Sequence, residues 1–188
     1  MHIAMLTMQP NKVLLQHLEN TKLKIGFEHP IVGVHMRGTD KHLEAERLTV
    51  QSYTDVVVRM LKQKGWSRVF VSTDDSMWTR EIVLRSLIKS ARRLLYNQEL
   101  TLVMQDIPRA DGATWDQALA VGVTEFGRNA ITDTMLLSQC DGFVGTKTSL
   151  FSQVALLLGI GFHDRTLYAA ADDADFQYAW APTSFQKA

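Results

Sequence analysis

The stretch Ile31-Val-Gly-Val-His-Met-Arg-Gly-Thr-Asp-Lys41 joins an apolar run directly to a cluster of charged and polar residues. The apolar part, from Ile31 to His35, is typical of a buried β-strand. In open α/β sheets, ligands bind outside the carboxyl ends of the strands. The stretch therefore predicts a strand of a parallel sheet whose end faces a ligand crevice.

Segments with helical spacing of apolar residues alternate with short apolar strands along most of the chain. Strands separated by helices imply parallel pairing through right-handed crossovers. We therefore predict an α/β fold, an open three-layer parallel sheet resembling a Rossmann half. The expected helices cover residues 13–23, 50–64, 82–95, 129–140 and 149–158, and the expected strands cover 31–35, 68–72, a segment starting near 101, and 142–146.

Composition indicates one globular domain with balanced charge. The chain has 188 residues, of which 46% are hydrophobic, and its 20 Lys and Arg residues balance 20 Asp and Glu residues. Such a balance creates no long-range field toward nucleic acid or an anionic membrane, so we expect no nucleic-acid partner. We assign residues 1–161 to one Rossmann-like domain. Residues 162–188 form a C-terminal extension of unknown role, which either packs on the sheet or leads elsewhere.

Cysteine, histidine and hydropathy patterns narrow the chemistry further. Cys140 is the single cysteine, so it cannot form an intrachain disulfide, and its apolar surroundings indicate a buried thiol. The six histidines show no metal-ligand spacing, and we expect no metal site. We find neither a membrane span nor a signal peptide, although a longer precursor could carry one upstream, so the chain leaves its compartment undetermined.

Three polar clusters follow predicted strands: HMRGTDK after the first, STDD after the second and GTKTS after the last. His35 and Arg37 alternate along the strand end, so both side chains can face one side. The planar guanidinium of Arg37 matches phosphate oxygens, which predicts a phosphate site. The alternative is a surface ion pair between Arg37 and Asp40.

The GTKTS cluster lies where a helix begins, and exposed amides at a helix start bind anions. It is not a P-loop, because Thr146 separates Gly145 from Lys147. Thr148 or Ser149 contacts phosphate in one interpretation and caps the helix in the other.

Several acidic residues are candidates for either chemistry or structure. Glu44 or Glu46 could act as a general base beside Arg37, although loop glutamates are more often simply solvated. Asp74 and Asp75 stand where an acid would favour a helix start, and they are an inadequate metal site by themselves. Asp133 interrupts an apolar helix, which requires that it face solvent or meet a hydrogen-bond donor.

Three ordered segments resemble the nucleotide-binding half of eukaryotic α-1,6-fucosyltransferases and, more distantly, bacterial nodulation and protein O-fucosyltransferases. They are LQHLENTKLKIGFEHPIVGVHMRGTDK, VFVSTDD and DTMLLSQCDGFVGTKTSLFSQVALL, between about Leu15 and Leu158. The resemblance implies a GT-B glycosyltransferase of two Rossmann-like halves. This chain is similar to the C-terminal half, which holds GDP-fucose, so the resemblance implies that residues 1–161 are a nucleotide-sugar-binding domain. An N-terminal half would complete the cleft for a glycan or glycoprotein acceptor.

The resemblance also implies a role for individual residues. It implies that His35 and Arg37 bind the nucleotide and that Arg37 contacts the diphosphate. It also implies that Asp133 binds guanine and that Ser149 contacts phosphate. Glu44 matches the general base if one residue is deleted after Lys41, a placement that Tyr53 supports by returning to register. Asp74 matches a largely architectural aspartate. The implied reaction is an inverting, metal-independent transfer of fucose, with GDP-fucose as donor substrate and no cofactor, and a longer precursor would work in the Golgi lumen on acceptors such as N-glycans.

Two departures from the family pattern leave a second interpretation open. Gly38 replaces the second arginine of the first motif, and Gln153 replaces an arginine of the last. We hypothesise that Lys41 or Lys147 supplies the positive charge that is missing near the donor phosphates. The alternative function is a non-catalytic module that binds GDP or a GDP-sugar, or a degenerate interaction domain. A weaker third interpretation is an α/β protein that uses another nucleotide.

Overall fold

The computed structural model describes residues 10–38, 48–75, 80–94, 99–107, 118–119, 121–163 and 168–172. In these residues helices alternate with strands. The elements in chain order are α1 (Lys12–Ile25), β1 (Ile31–Met36), α2 (Val50–Lys64), β2 (Arg68–Thr73), α3 (Arg80–Leu94), β3 (Thr101–Met104), α4 (Val123–Gln139), β4 (Gly142–Gly145), α5 (Leu150–His163) and β5 (Tyr168–Ala170).

The five described strands form one sheet in the order β3-β2-β1-β4-β5, and every neighbouring pair is parallel. At the centre, Val32 of β1 is in register with Val69 of β2 on one side and with Gly142 of β4 on the other. The chain runs outward from β1 to β3 and then crosses back to β4. The predicted α/β class is confirmed, and the reversal beside β1 creates the topological switch point at which such sheets bind ligands.

Helices cover both faces of the sheet. Alternate residues of a strand point to opposite faces, so Val34 joins the core under α2 and α3 whereas Ile31 joins the core under α1, α4 and α5. All six residues of β1 are buried, as expected for the central strand of a parallel sheet with both faces covered. No helix in the described ranges combines the length and apolarity that crossing a bilayer requires.

Local sequence explains where the first two helices begin and end. The side chain of Asn11 accepts a hydrogen bond from the Leu14 amide at 2.9 Å, and Thr49 accepts one from Ser52 at 3.1 Å. Gly26 and Gly65 follow the last turns with φ of 69° and 70°, a conformation that glycine adopts without strain. Helix α2 has the expected bounds, and α1 continues two residues beyond the expected end at Leu23.

The middle of β1 approaches the end of α4 closely. A Cβ atom at Gly33 would lie 2.7 Å from the Sγ atom of Cys140, so a larger residue there would push the two elements apart. The Cys140 thiol is buried and donates to the Leu136 carbonyl oxygen at 3.3 Å. The expected buried thiol is therefore confirmed.

Two helices extend beyond their predicted bounds by five residues or more. Helix α4 begins at Val123, ahead of the predicted Asn129, and its N-cap is Gly122, which has φ of 88° and makes no side-chain cap bond. Neither Gly122 nor Gly127 supplies a sequence signal for a helix start. Helix α5 continues to His163 and so crosses the expected boundary at residue 161, and β5 pairs with β4. The described residues beyond 161 therefore pack as part of the sheet domain.

Candidate functional site

A cavity of about 200 Å³ opens at the carboxyl ends of β1 and β2, beside the switch point. Pockets for drug-sized ligands measure roughly 300–1,000 Å³, so this cavity suits a part of a nucleotide-sized ligand. It is lined by His35, Arg37, Ser72, Thr73, Asp74, Ile107, Val121, Phe126, Asn129, Ala130, Asp133 and Phe151.

Arg37 follows β1 and is held at the cavity by Asp74. Its Nη1 atom lies 2.7 Å from Oδ2 of Asp74, and the other carboxylate oxygen accepts from the Gly38 amide at 2.9 Å. Asp74 therefore fixes both the backbone at Gly38 and the side chain of Arg37. A guanidinium has five N–H donors in a planar fork, a geometry that matches carboxylate and phosphate oxygens.

Asp75 occupies the space beside Gly38. It is buried, and a Cβ atom at Gly38 would lie 2.7 Å from the Cβ atom of Asp75. Any side chain at position 38 would therefore require Asp75 to move. Residues 76–79, between this pair and the described part of α3, lie outside the described residues, so the capping interpretation of Asp74 and Asp75 stays a prediction.

His35 is buried as a neutral imidazole. Its Nδ1 atom lies 2.7 Å from Oγ of Ser152, and its ring packs on Phe151 with centroids 4.5 Å apart. Burial lowers the pKa of His35 to about 4, Arg37 also lowers it, and Asp74 opposes the shift. The ring is therefore uncharged at neutral pH and offers one donor and one acceptor.

This shift predicts that His35 makes stability fall on acidification. Between pH of about 6.5 and about 4 the unfolded chain binds a proton at His35 that the folded chain does not, so the free energy of unfolding decreases as pH falls through this window. At about pH 5 the loss at this residue is about 2 kcal/mol. Urea unfolding at about pH 7 and about pH 5 will show a smaller loss in His35→Asn, which keeps an acceptor near Ser152. Equal losses in both proteins would contradict the shift.

Asp133 is buried on α4 and meets two donors. Ser72 Oγ donates to its Oδ2 atom at 2.8 Å, and Gln105 Nε2 donates to its Oδ1 atom at 2.5 Å. The two donors lie at the end of β2 and just after β3. The expectation that this acid meets a hydrogen-bond donor is confirmed, and the pair fixes the carboxylate at the cavity wall.

The start of α5 is organised by caps. Ser149 is buried, and its Oγ atom accepts from the Ser152 amide at 3.4 Å, whereas Thr148 is exposed. Asp172, just after β5, accepts from the amides of Lys147 at 2.8 Å and Thr148 at 3.4 Å. The Asp172 carboxylate thus accepts hydrogen bonds from the backbone amides that were predicted to bind phosphate.

Gln153, which replaces a family arginine, also has a structural contact here. Its side-chain amide donates to the Lys147 carbonyl oxygen at 2.9 Å. Gln153 therefore holds the loop between β4 and α5 from the side of the helix.

Tyr53 connects α2 to the first polar cluster. Its ring is fully buried, and its hydroxyl accepts from the Arg37 amide at 3.2 Å. Burial raises the pKa of this hydroxyl, so it stays protonated. The residue that supported the register of Glu44 therefore packs directly under Arg37.

The cavity unites only some of the predicted site residues. His35, Arg37 and Asp133 line it together, whereas Thr148 and Ser149 lie at the start of α5. Lys41, Glu44 and Glu46, as well as Asp40, fall outside the described residues.

Several residues that line the cavity, or that hold its lining in place, were not predicted from the sequence. Asn129 precedes Asp133 by four residues, a helical spacing that could have revealed it. Gln105 follows a strand, as the recognised polar clusters do. Ser152, the third residue of α5, has no sequence signal. In the ranges that the structure describes, no group of three or more His, Cys, Asp or Glu side chains is placed to hold a metal ion.

Comparisons with known proteins agree with this architecture. A family model described as α-(1,6)-fucosyltransferase N- and catalytic domains matches residues 2–160. A crystal structure of POFUT1 in complex with GDP-fucose has a TM-score of 0.57 at 14% identity, with 87% of this chain and 47% of that chain covered. POFUT1 in complex with GDP has a TM-score of 0.56 at 14% identity, with 87% and 48% covered. The chain thus spans about half the length of these structures, whose likeness is one of fold.

Proposed function

Since this chain belongs to the α-(1,6)-fucosyltransferase family, we propose that it is the donor-binding half of a glycosyltransferase that transfers fucose from GDP-fucose to a glycan. The observation that carries the proposal is a single cavity at the switch point that joins a guanidinium, a neutral imidazole and a fixed carboxylate. A nucleoside diphosphate sugar needs a cation for phosphate and acceptors for the base. Arg37 and Asp133 supply them on two walls of one crevice.

The proposed reaction is an inverting transfer without a metal. Glu44 takes the proton of the acceptor hydroxyl, whose oxygen forms a bond to the fucose anomeric carbon. The bond from that carbon to the β-phosphate oxygen breaks, and GDP leaves with the electron pair. Arg37 stabilises the charge that develops on the leaving phosphate, and Lys41 or Lys147 assists.

Binding of the diphosphate would also involve the start of α5. Ser149 keeps its hydroxyl proton while its oxygen caps the helix, so it can donate to phosphate. Thr148 and the nearby amides can do so only when Asp172 leaves them. We therefore assign Thr148 and Ser149 to the phosphates, with Asp172 as a competitor.

Binding of the acceptor, and therefore transfer of fucose, requires a part of the protein beyond this chain. The acceptor, a glycan or glycoprotein such as one with the core N-acetylglucosamine of N-glycans, would bind between this half and an N-terminal half. Protein glycosylation of this kind would place a longer precursor in the Golgi lumen. Residues 1–161 with the strand after them form the donor domain in this proposal.

One observation favours a second candidate, a module that binds GDP or a GDP-sugar without catalysis. Gly38 stands where the family has a second arginine, and Asp75 fills the space beside it. One cation fewer beside the phosphates reduces stabilisation of the leaving group more than it reduces binding of the base. This candidate keeps the same donor site and lacks only turnover.

Calorimetric titration of the purified chain with GDP, UDP and ADP tests the shared premise. We expect GDP to bind more tightly than ADP or UDP by at least about tenfold, since a base-specific hydrogen bond to a charged group is worth about 1.5–3 kcal/mol. A folded chain that binds none of the three, or that prefers ADP or UDP, would refute a GDP-fucose donor site and favour the interaction domain or another nucleotide, respectively.

A further inference from the structure

Asn129 and Asp133 form a polar pair on the cavity face of α4. They are four residues apart, a spacing that puts Cβ atoms about 5–6 Å apart on one side of a helix. Both line the cavity, and only 8% of Asn129 and 5% of Asp133 is exposed. The pair therefore presents an amide next to a carboxylate at one wall.

The two members differ in how the protein satisfies them. Asp133 is held by Ser72 and Gln105. The side chain of Asn129 has no hydrogen-bond partner among the residues that the structure describes, although it is more than nine-tenths buried. Its polar atoms are not among the fully buried atoms without a partner in the described residues, so they reach the cavity surface, where a ligand can accept a hydrogen bond from the amide.

We infer that Asn129 is a specificity-determining residue that donates to O6 of guanine while Asp133 accepts from N1–H and the 2-amino group. This inference rests on the proposed function, because it requires a guanine nucleotide in the cavity. Along one edge guanine presents the acceptor O6, then the donor N1–H, then the donor 2-amino group. An amide that donates, followed by a carboxylate that accepts, matches these groups in the same order. Adenine presents an unprotonated N1 there, which would face the Asp133 carboxylate and be repelled.

The aromatic side chains of the cavity contribute affinity for a base, but they do not select guanine over adenine. Phe126 and Phe151 line the cavity, and stacking on an aromatic ring is tolerated by every base. The choice between bases therefore depends on the polar pair. Ser72 and Gln105 support it by holding the carboxylate in one orientation.

The test is a titration of the full chain with three diphosphates: GDP, IDP, which lacks the 2-amino group, and the diphosphate of 2,6-diaminopurine riboside, which carries an amino group at position 6. Asn129→Leu removes the amide at similar volume, and Asn129→Asp turns a donor into an acceptor. Thr124→Ala, at an exposed position of the same helix, is the matched control. Thermal unfolding verifies that each variant is folded.

We expect Asn129→Leu to weaken GDP binding about tenfold and to leave the preference for GDP over IDP, which belongs to Asp133, unchanged. Asn129→Asp should lower the ratio of GDP affinity to diaminopurine-nucleotide affinity by at least about tenfold, since its carboxylate opposes O6 and accepts from a 6-amino group. The control should match the unaltered chain. If the leucine variant does not fold, the isosteric aspartate variant decides.

GDP binding that depends on Arg37 but is unaffected by both Asn129 variants would overturn this inference and leave the proposed function standing. A folded, unaltered chain that binds no guanine nucleotide would overturn both. A tenfold loss accompanied by a changed GDP-to-IDP ratio in Asn129→Leu would also overturn it, because the amide would then act only through Asp133.

Discussion

Replacing Arg37 by alanine is expected to weaken GDP binding by about 100-fold. A guanidinium donates charge-assisted hydrogen bonds to phosphate, each worth about 1.5–3 kcal/mol, and two of them give a factor of this size. The ion pair with Asp74 at 2.7 Å holds the group at the cavity in advance, so little ordering is needed on binding. In the variant, Asp74 loses this cation beside the phosphates, which weakens binding further.

The matched control is Arg85→Ala. Arg85 is exposed on α3 and also pairs with a carboxylate, that of Glu81, so it tests whether loss of any paired arginine matters. We expect unchanged GDP affinity there. Arg37→Lys keeps the charge without the planar fork and should recover only part of the affinity. Calorimetry that finds GDP binding equally strong in Arg37→Ala would remove Arg37 from the donor site.

Replacing Glu44 by glutamine is expected to reduce kcat for fucose transfer by about 10²–10⁴-fold, the usual contribution of a general base. Glutamine has the same shape and cannot take the proton of the acceptor hydroxyl. The base acts on the acceptor, so the affinity for GDP should change little. The measurement is the transfer of labelled fucose from GDP-fucose to an N-glycan acceptor by a protein that joins this chain to the N-terminal half, alongside calorimetry with GDP.

Glu46→Gln is the natural control, since Glu46 is the same residue type only two positions further along the sequence. It should transfer fucose at the unaltered rate. Equal activity of Glu44→Gln and the unaltered protein would exclude Glu44 as the base. Binding of GDP without any transfer, in a protein that joins this chain to the N-terminal half, would favour the non-catalytic module, in which Gly38 lacks the second cation and Asp75 fills the space beside it.

Much of the architecture was predictable because it depends on neighbours in sequence. The apolar run at Ile31 indicated a buried strand, and Gly65 marked the end of α2, where the structure gives it the left-handed backbone of a cap. The early start of α4 was not predictable, because Gly122 caps the helix without a side-chain bond. The resemblance to a family added expected roles, but it could not describe how this chain supports them.

The sequence by itself determined the alternation of helices and strands, and it determined that polar residues follow the strands. These features arise from side chains a few positions apart. Only the tertiary structure decided that the donors to Asp133 are Ser72 and Gln105, 61 and 28 positions away, and that Asp75 lies against Gly38. Contacts of this kind form only when parallel strands bring their carboxyl ends to one edge, since nothing in the local pattern specifies which distant side chains will meet there.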